Sequence, residues 1–139
     1  METHMKNIDI ITLGNGGFLK ATAHSLPVEH FYKFVKFKRA VQRAYEEISK
    51  AQVEFLAEAG LTAEELRGGD APAEKIERYG TLNAALLAEQ TEIAVARIPV
   101  ACYKGIYDEN RTDGGDIFAR PEIEAIVLDN LFTEDKGNE

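Results

Sequence analysis

The sequence has few of the features that mark specialised classes of protein. Its 139 residues include one cysteine, Cys102, which excludes an internal disulfide and a cysteine-rich zinc site. No apolar run approaches the roughly 20 residues that cross a bilayer, and no signal-peptide core is present, so a soluble, cytoplasmic protein is predicted. Apolar residues make up 45% and charged residues 29% of the chain, which is typical of a globular domain.

Charge is distributed unevenly along the chain, whose formal net charge is −8. Residues 1–43 contain seven Lys or Arg and three acids, for a net charge of +4. Residues 44–139 contain nine Lys or Arg and twenty-one acids, for a net charge of −12. The overall sign opposes long-range attraction to nucleic acid, but a local basic face can still bind phosphate or an acidic partner.

The beginning of the chain predicts little regular structure. A second methionine, Met5, precedes Lys6, so residues 1–7 are predicted to be a tag remnant or a disordered start. Ile8–Leu13 is rich in β-branched residues and is followed by glycines, which predicts a strand. Residues 18–25 fit either a return strand or a short helix, and the sequence leaves both alternatives open.

The strongest element is a helix of roughly 30 residues that begins near Pro27 and ends near Gly60. Apolar residues recur every seven positions along it and predict a seam that is either a core or an interface: Phe34, Val41, Ile48 and Phe55. Lys38 and Gln52 interrupt this apolar seam. The helix is therefore predicted to pack in a small bundle or helical hairpin and not in a long coiled coil.

The opposite side of the same helix is basic. At about 100° per residue, four cations fall within an arc of about 120°, which we call the cationic face: Lys33, Lys36, Arg39 and Arg43. One interpretation is a docking face for phosphate or for an acidic protein surface. The other is an ordinary solvated face that pairs with the chain's own excess of acids.

Shorter elements follow the long helix. They are a capping-box helix after Thr62, a helix over 81–90, a strand over 92–98 and a terminal helix from Pro121. The elements together predict a mostly helical α+β fold, with the long helix in a small bundle or hairpin and a minor sheet containing the Ile8 and Ile93 segments. One domain is expected over residues 8–132, with an acidic flexible tail over 133–139.

The candidate chemical motifs are weak. Gly14–Gly17 lacks the spacing of a phosphate-binding loop and predicts a plain turn. The Asp108–Asp116 loop is rich in oxygen ligands but fails the EF-hand register, so a cation site and a solvated loop both stay open. His24, His30 and Cys102 have no zinc spacing. We therefore expect no catalytic residue, no metal site and no cofactor.

Three segments occur in a recognisable order. Leu26-Pro27-Val28 opens the long helix, and a leucine-rich stretch over 82–89 runs directly into the alternating segment Thr91–Val95. This order, which spans roughly residues 8–131, resembles a group of small uncharacterised proteins of siphoviruses and prophages. The resemblance implies a phage context in the cytoplasm of a bacterial host, and it transfers no functional residues.

Several function classes are compatible with these features. The leading expectation is a non-enzymatic phage or prophage accessory protein that acts through protein contacts, with another protein or itself as partner, in virion assembly or host takeover. The first alternative is a nucleic-acid-binding protein that uses the cationic face. The second is an acidic inhibitor that mimics nucleic acid and occupies a basic groove of a host protein. No membrane partner is expected.

Overall fold

The computed structural model describes residues 2–69, 71–111 and 117–133, and these residues form a mostly helical α+β fold, as predicted. In chain order the elements are β1 (Glu2–Lys6), α1 (Asn7–Asn15), α2 (Val28–Glu58), α3 (Ala63–Gly68), α4 (Ala73–Ala88), β2 (Gln90–Ala94), α5 (Tyr103–Glu109) and α6 (Pro121–Leu131). The two strands pair in antiparallel orientation. The helices and this small sheet surround one hydrophobic core.

The first strand lies earlier in the chain than predicted. Residues 2–6, expected to be a tag remnant or a disordered start, form β1, and Met5 is fully buried in the core. The predicted strand Ile8–Leu13 is wrong, because this segment belongs to α1. Ile10 and Leu13 are both fully buried and lie three positions apart, which is the spacing of one helix face. The run of β-branched residues concealed that helical spacing.

A buried asparagine joins the sheet to two helices. The backbone N–H of Asn7 donates to the carbonyl of Glu89 at 2.9 Å, and its side-chain amide donates to the carbonyl of Leu86 at 2.9 Å. The Thr91 hydroxyl donates to Asn7 Oδ1 at 2.6 Å. Since a buried polar side chain is costly without partners, these three bonds hold the junction of β1, α1, α4 and β2 in one arrangement.

Phe18 occupies the centre of the core. The segment 18–25, for which two alternatives were open, begins with a short 3-10 turn at Phe18–Lys20 and continues without a strand. The Phe18 ring meets three other rings edge-on at centroid distances of 5.9, 5.8 and 6.3 Å, those of Phe34, Phe37 and Phe118. Edge-on contacts of this kind are favourable for aromatic quadrupoles, so this cluster fixes α2 against the chain segments on either side of it.

The apolar seam of α2 is largely interior. Three of its four residues are 5% exposed or less and belong to the core: Phe34, Val41 and Ile48. Phe55, near the helix end, is half-buried. The two polar interruptions have partners, because Lys38 Nζ donates to the carbonyl of Ala21 at 2.8 Å and Gln52 Nε2 donates to Asn83 Oδ1 at 2.9 Å.

Two predicted boundaries in the second half of the chain are wrong. The helix expected over 81–90 is the end of the longer α4, which passes through Gly80 without a break. Glycine costs only about 1 kcal/mol inside a helix, and the flanking residues outweigh that cost. The strand expected over 92–98 starts earlier and ends at Ala94, and Ile98 instead forms an isolated parallel bridge with Phe132.

Other predicted elements are confirmed. Thr62 and Glu65 form the predicted capping box at the start of α3, and Gly60, with a φ of 76°, follows the end of α2. The terminal helix starts at Pro121 and buries Ile123, Val127 and Leu131. Of the predicted acidic tail, residues 134–139 lie outside the described residues.

Two helical glycines are expected to respond oppositely to the same substitution. A Cβ at Gly14 in α1 would overlap ring atoms of Tyr45, whose hydroxyl donates to Asn15 Oδ1 at 2.6 Å. We expect Gly14→Ala to destabilise the protein by about 1–3 kcal/mol, because the ring must move. At Gly80 in α4 nothing lies within 4 Å of the added Cβ, so Gly80→Ala should stabilise by about 0.5–1 kcal/mol.

Urea unfolding of the two variants beside the parent protein measures both effects. Each variant is the control for the other, since the covalent change is identical and both positions are helical. Shifts of the same sign would contradict the packing of α1 against α2 described here.

Candidate functional site

An open groove lies between α2 and β2. Its volume is about 400 Å³, and its lining consists of Ala40, Arg43, Ala44, Glu47 and Ile48 from α2 and Thr91, Glu92, Ile93 and Ala94 from β2. The floor is apolar, because the side chains of Ala44, Ile48 and Ile93 are buried. Arg43 and Glu47 are exposed on the helix side. Alanine side chains occupy little volume, so the helix and the strand leave space between them.

The relative direction of α2 and β2 follows from contacts on either side of the groove. Gln52 bonds to Asn83 of α4, which immediately precedes β2. Lys33 Nζ lies 3.5 Å from the carbonyl oxygen of Arg97, three residues after β2 ends. The chain from α4 through β2 therefore runs antiparallel to α2. The start of β2 faces the turn of α2 that contains Glu47, and its end faces the turn that contains Arg43.

Within the described residues, the edge of β2 beside the groove has backbone groups without a hydrogen-bond partner. In an antiparallel pair, alternate residues direct their N–H and C=O groups toward the partner strand and away from it. The bond from the Asn7 N–H to the Glu89 carbonyl sets this alternation in the β1–β2 register. The outward groups are those of Gln90, Glu92 and Ala94. Among the described residues, β2 pairs with β1 alone.

The residues of the cationic face differ in their exposure. Three of its members are exposed: Lys36, Arg39 and Arg43. The fourth, Lys33, is half-buried and directed toward the Arg97 carbonyl. Apolar residues share the exposed side, since Tyr32 is 58% and Val28 is 83% exposed, and Lys36 Nζ lies 5.4 Å from the Tyr32 ring centroid. Neither residue belongs to the apolar seam, and the sequence places Tyr32 on the basic arc and Val28 just beyond its edge.

Two polar residues of the predicted Asp108–Asp116 loop make structural contacts, although Asp108 is helical and belongs to α5. Asn110 is 8% exposed, and it exchanges hydrogen bonds of 2.9 and 2.8 Å with the backbone N–H and C=O of Thr22. Asp108 accepts a 2.7 Å bond from Lys104 Nζ. The remaining oxygen ligands, Thr112, Asp113 and Asp116, lie outside the described residues. The contacts of Asp108 and Asn110 therefore give no support to a cation site in this segment.

The histidine and cysteine side chains that could bind a soft metal ion lie in different surroundings. His24 stacks on Phe31 at 5.6 Å, and Cys102 is half-buried in the 3-10 turn Val100–Cys102. The Nδ1 atom of His30 is buried without a hydrogen-bond partner in the described part of the chain. Within residues 2–69, 71–111 and 117–133, no group of three His, Cys, Asp or Glu side chains is arranged to hold a metal ion.

Comparison with known proteins assigns no family. No family model, curated protein or solved structure matches the chain. In the part of the chain that the structure describes, no helix is both long enough and apolar enough to span a membrane. The groove and the cationic face are therefore the two candidate binding surfaces of the molecule.

Glu109 holds the turn that leads into α2, and its ionisation is expected to affect stability. Its carboxylate accepts backbone N–H groups of His24 at 2.7 Å and Ser25 at 2.8 Å. Burial opposes ionisation, but hydrogen bonds from Thr22, Ser25 and His24 outweigh it and hold the pKa of Glu109 below its ordinary value of 4.5. A lowered pKa in the folded state stabilises the protein above the ordinary value, and this contribution is lost as the pH falls through the lowered pKa.

Glu109→Gln should therefore be less stable than the parent at pH 7, and this difference should shrink below about pH 4. Urea unfolding at pH 7 and pH 3 measures the difference. Glu77→Gln, at an exposed position of α4, is the matched control and should change little at either pH. A deficit of Glu109→Gln that is equal at both pH values would contradict this role of the carboxylate.

Proposed function

We propose that this chain is a non-enzymatic accessory protein of a phage or prophage, and that it acts by binding a protein partner at the groove between α2 and β2. The activity belongs to virion assembly or to takeover of the host. The binding partner is another protein in the cytoplasm of a bacterial host. The phage context is supported by the segment order Leu26-Pro27-Val28, 82–89 and Thr91–Val95.

The observation that carries the binding part of the proposal is the open edge of β2 beside the apolar groove floor. Exposed strand edges are sites where another chain can pair, and proteins commonly protect them with charge, bulges or a covering element. Here the edge lies beside two small side chains of α2, Ala40 and Ala44, so it is accessible. A partner that covered the groove would bury apolar surface and pair backbone groups at once.

Nucleic-acid binding is the second candidate, and a specific observation favours it. Tyr32 is exposed between cations of α2, with Lys36 above its ring. Exposed aromatic and cationic side chains together are a common platform for stacked bases and phosphates. This candidate uses the cationic face and does not require the groove.

Site-specific photo-crosslinking in bacterial cells that carry the phage or prophage tests the proposal. A benzophenone amino acid replaces Ala94, which lines the groove, or Ala125, which is exposed on α6. We expect a discrete protein adduct from position 94 and none from position 125. The adduct should be lost with Ala40→Phe, which fills the groove, and retained with Ala57→Phe, an exposed position of α2 outside it.

The outcomes separate the two candidates. Adducts of equal yield from positions 94 and 125, or no adduct from position 94, would contradict protein binding at the groove. An adduct that disappears after nuclease treatment would favour the nucleic-acid candidate. An adduct with a second copy of this chain alone would replace the heterologous partner with self-association.

A further inference from the structure

The groove has a polarity that identifies the kind of segment it would take. Building on the proposed function, we infer that an extended segment of the partner binds as an additional strand on the outer edge of β2, antiparallel to it. We further infer that the segment carries an acidic residue and, two positions later, a basic residue.

The backbone geometry supports strand addition. The outward N–H and C=O groups of Gln90, Glu92 and Ala94 alternate with groups that bond to β1, so they form a regular ladder edge. An extended segment satisfies such an edge residue by residue, which gives affinity without a particular side chain. Antiparallel addition is favoured because antiparallel strand pairs are slightly more stable per residue than parallel pairs.

The side-chain preference comes from α2. Arg43 and Glu47 are exposed, lie one helical turn apart and line the groove, so their Cα atoms are separated by about 6 Å along the helix. Residues i and i+2 of a strand are separated by about 6.6 Å and point to the same face. Two such side chains of an added strand therefore match the spacing of this charged pair.

The order of the two charges follows from the chain directions. Arg43 lies toward the end of β2 and Glu47 toward its start. An antiparallel segment passes Arg43 first and Glu47 second, in its own N-to-C direction. Opposite charges in contact are favoured and like charges are disfavoured, so the segment reads acidic, any residue, basic.

A second copy of this chain is a poorer occupant. Antiparallel pairing of β2 with β2 of another copy, in the register that uses the whole strand, places Gln90 opposite Ala94 and Glu92 opposite Glu92. Like charges that face each other across a strand pair are destabilising. Each Glu92 already lies 3.8 Å from His4 of its own sheet, which is a contact between exposed side chains and leaves the repulsion in place.

Selection from a displayed library of random eight-residue peptides tests the inference. The purified full chain is the bait, and Ala40→Phe, which fills the groove, is the bait for counter-selection. We expect enrichment of peptides with an acidic residue two positions before a basic one. The double variant Arg43→Glu with Glu47→Arg should select the reverse order, basic before acidic, because it exchanges the two charges without changing the net charge.

Strand addition itself is tested on one selected peptide. The peptide is N-methylated at one backbone nitrogen at a time. Methylation at alternate positions should weaken binding by about tenfold or more, and methylation at the positions between them should be tolerated. The first set of positions contains the amides that face β2. Equal effects of both sets would overturn strand addition.

The selection distinguishes the inference from the proposed function. If the parent and the double variant select the same charge order, or if the parent enriches no charged pair, the inference is overturned. If that occurs while the photo-adduct at Ala94 persists, the groove binds a partner in another manner and the proposed function stands. If the photo-adduct at Ala94 is also absent, both the inferred strand addition and the proposed function are overturned.

Discussion

The apolar face of α2 must be covered, and the other segments of the chain are arranged to cover it. A helix of 31 residues with one apolar face is stable in water only when that face is covered. Phe18 packs on the first part of this face and contacts Phe34 and Phe37 edge-on. The other segments are then arranged around this centre, and Glu109 holds the turn before the helix through the backbone N–H groups of His24 and Ser25.

The groove is a consequence of how this covering ends. Along most of α2 the covering residues are large, but beside β2 the helix presents Ala40 and Ala44, and a short strand leaves its outer edge open. The same stretch of helix carries Arg43 and Glu47 at its exposed border. Small side chains, an open ladder edge and two opposite charges thus occur together at the groove between α2 and β2.

The sequence predicted those features that depend on periodicity and missed those that depend on pairing. The long helix, the α3 capping box and the start of the terminal helix at Pro121 follow from local sequence and were confirmed. The register of β1 with β2 joins residues 84 to 92 positions apart, so residues 2–6 carry no local signal of a strand. The groove was missed for the same reason. The helical pattern relates Arg43 only to its neighbours on α2, whereas the opposite wall of the groove comes from β2. The exposed side chain of Tyr32 was also missed, because Tyr32 belongs neither to the apolar seam nor to the cationic face.

Binding at the groove requires that the outer edge of β2 is open beside α2. Amide hydrogen exchange measured by NMR on the unbound protein tests it most directly. The N–H groups of Thr91 and Ile93 point toward β1 and should exchange at least about tenfold more slowly than those of Glu92 and Ala94, which point outward. Slow exchange at all four amides would show that the outer edge of β2 is already covered, and this result would contradict an open edge.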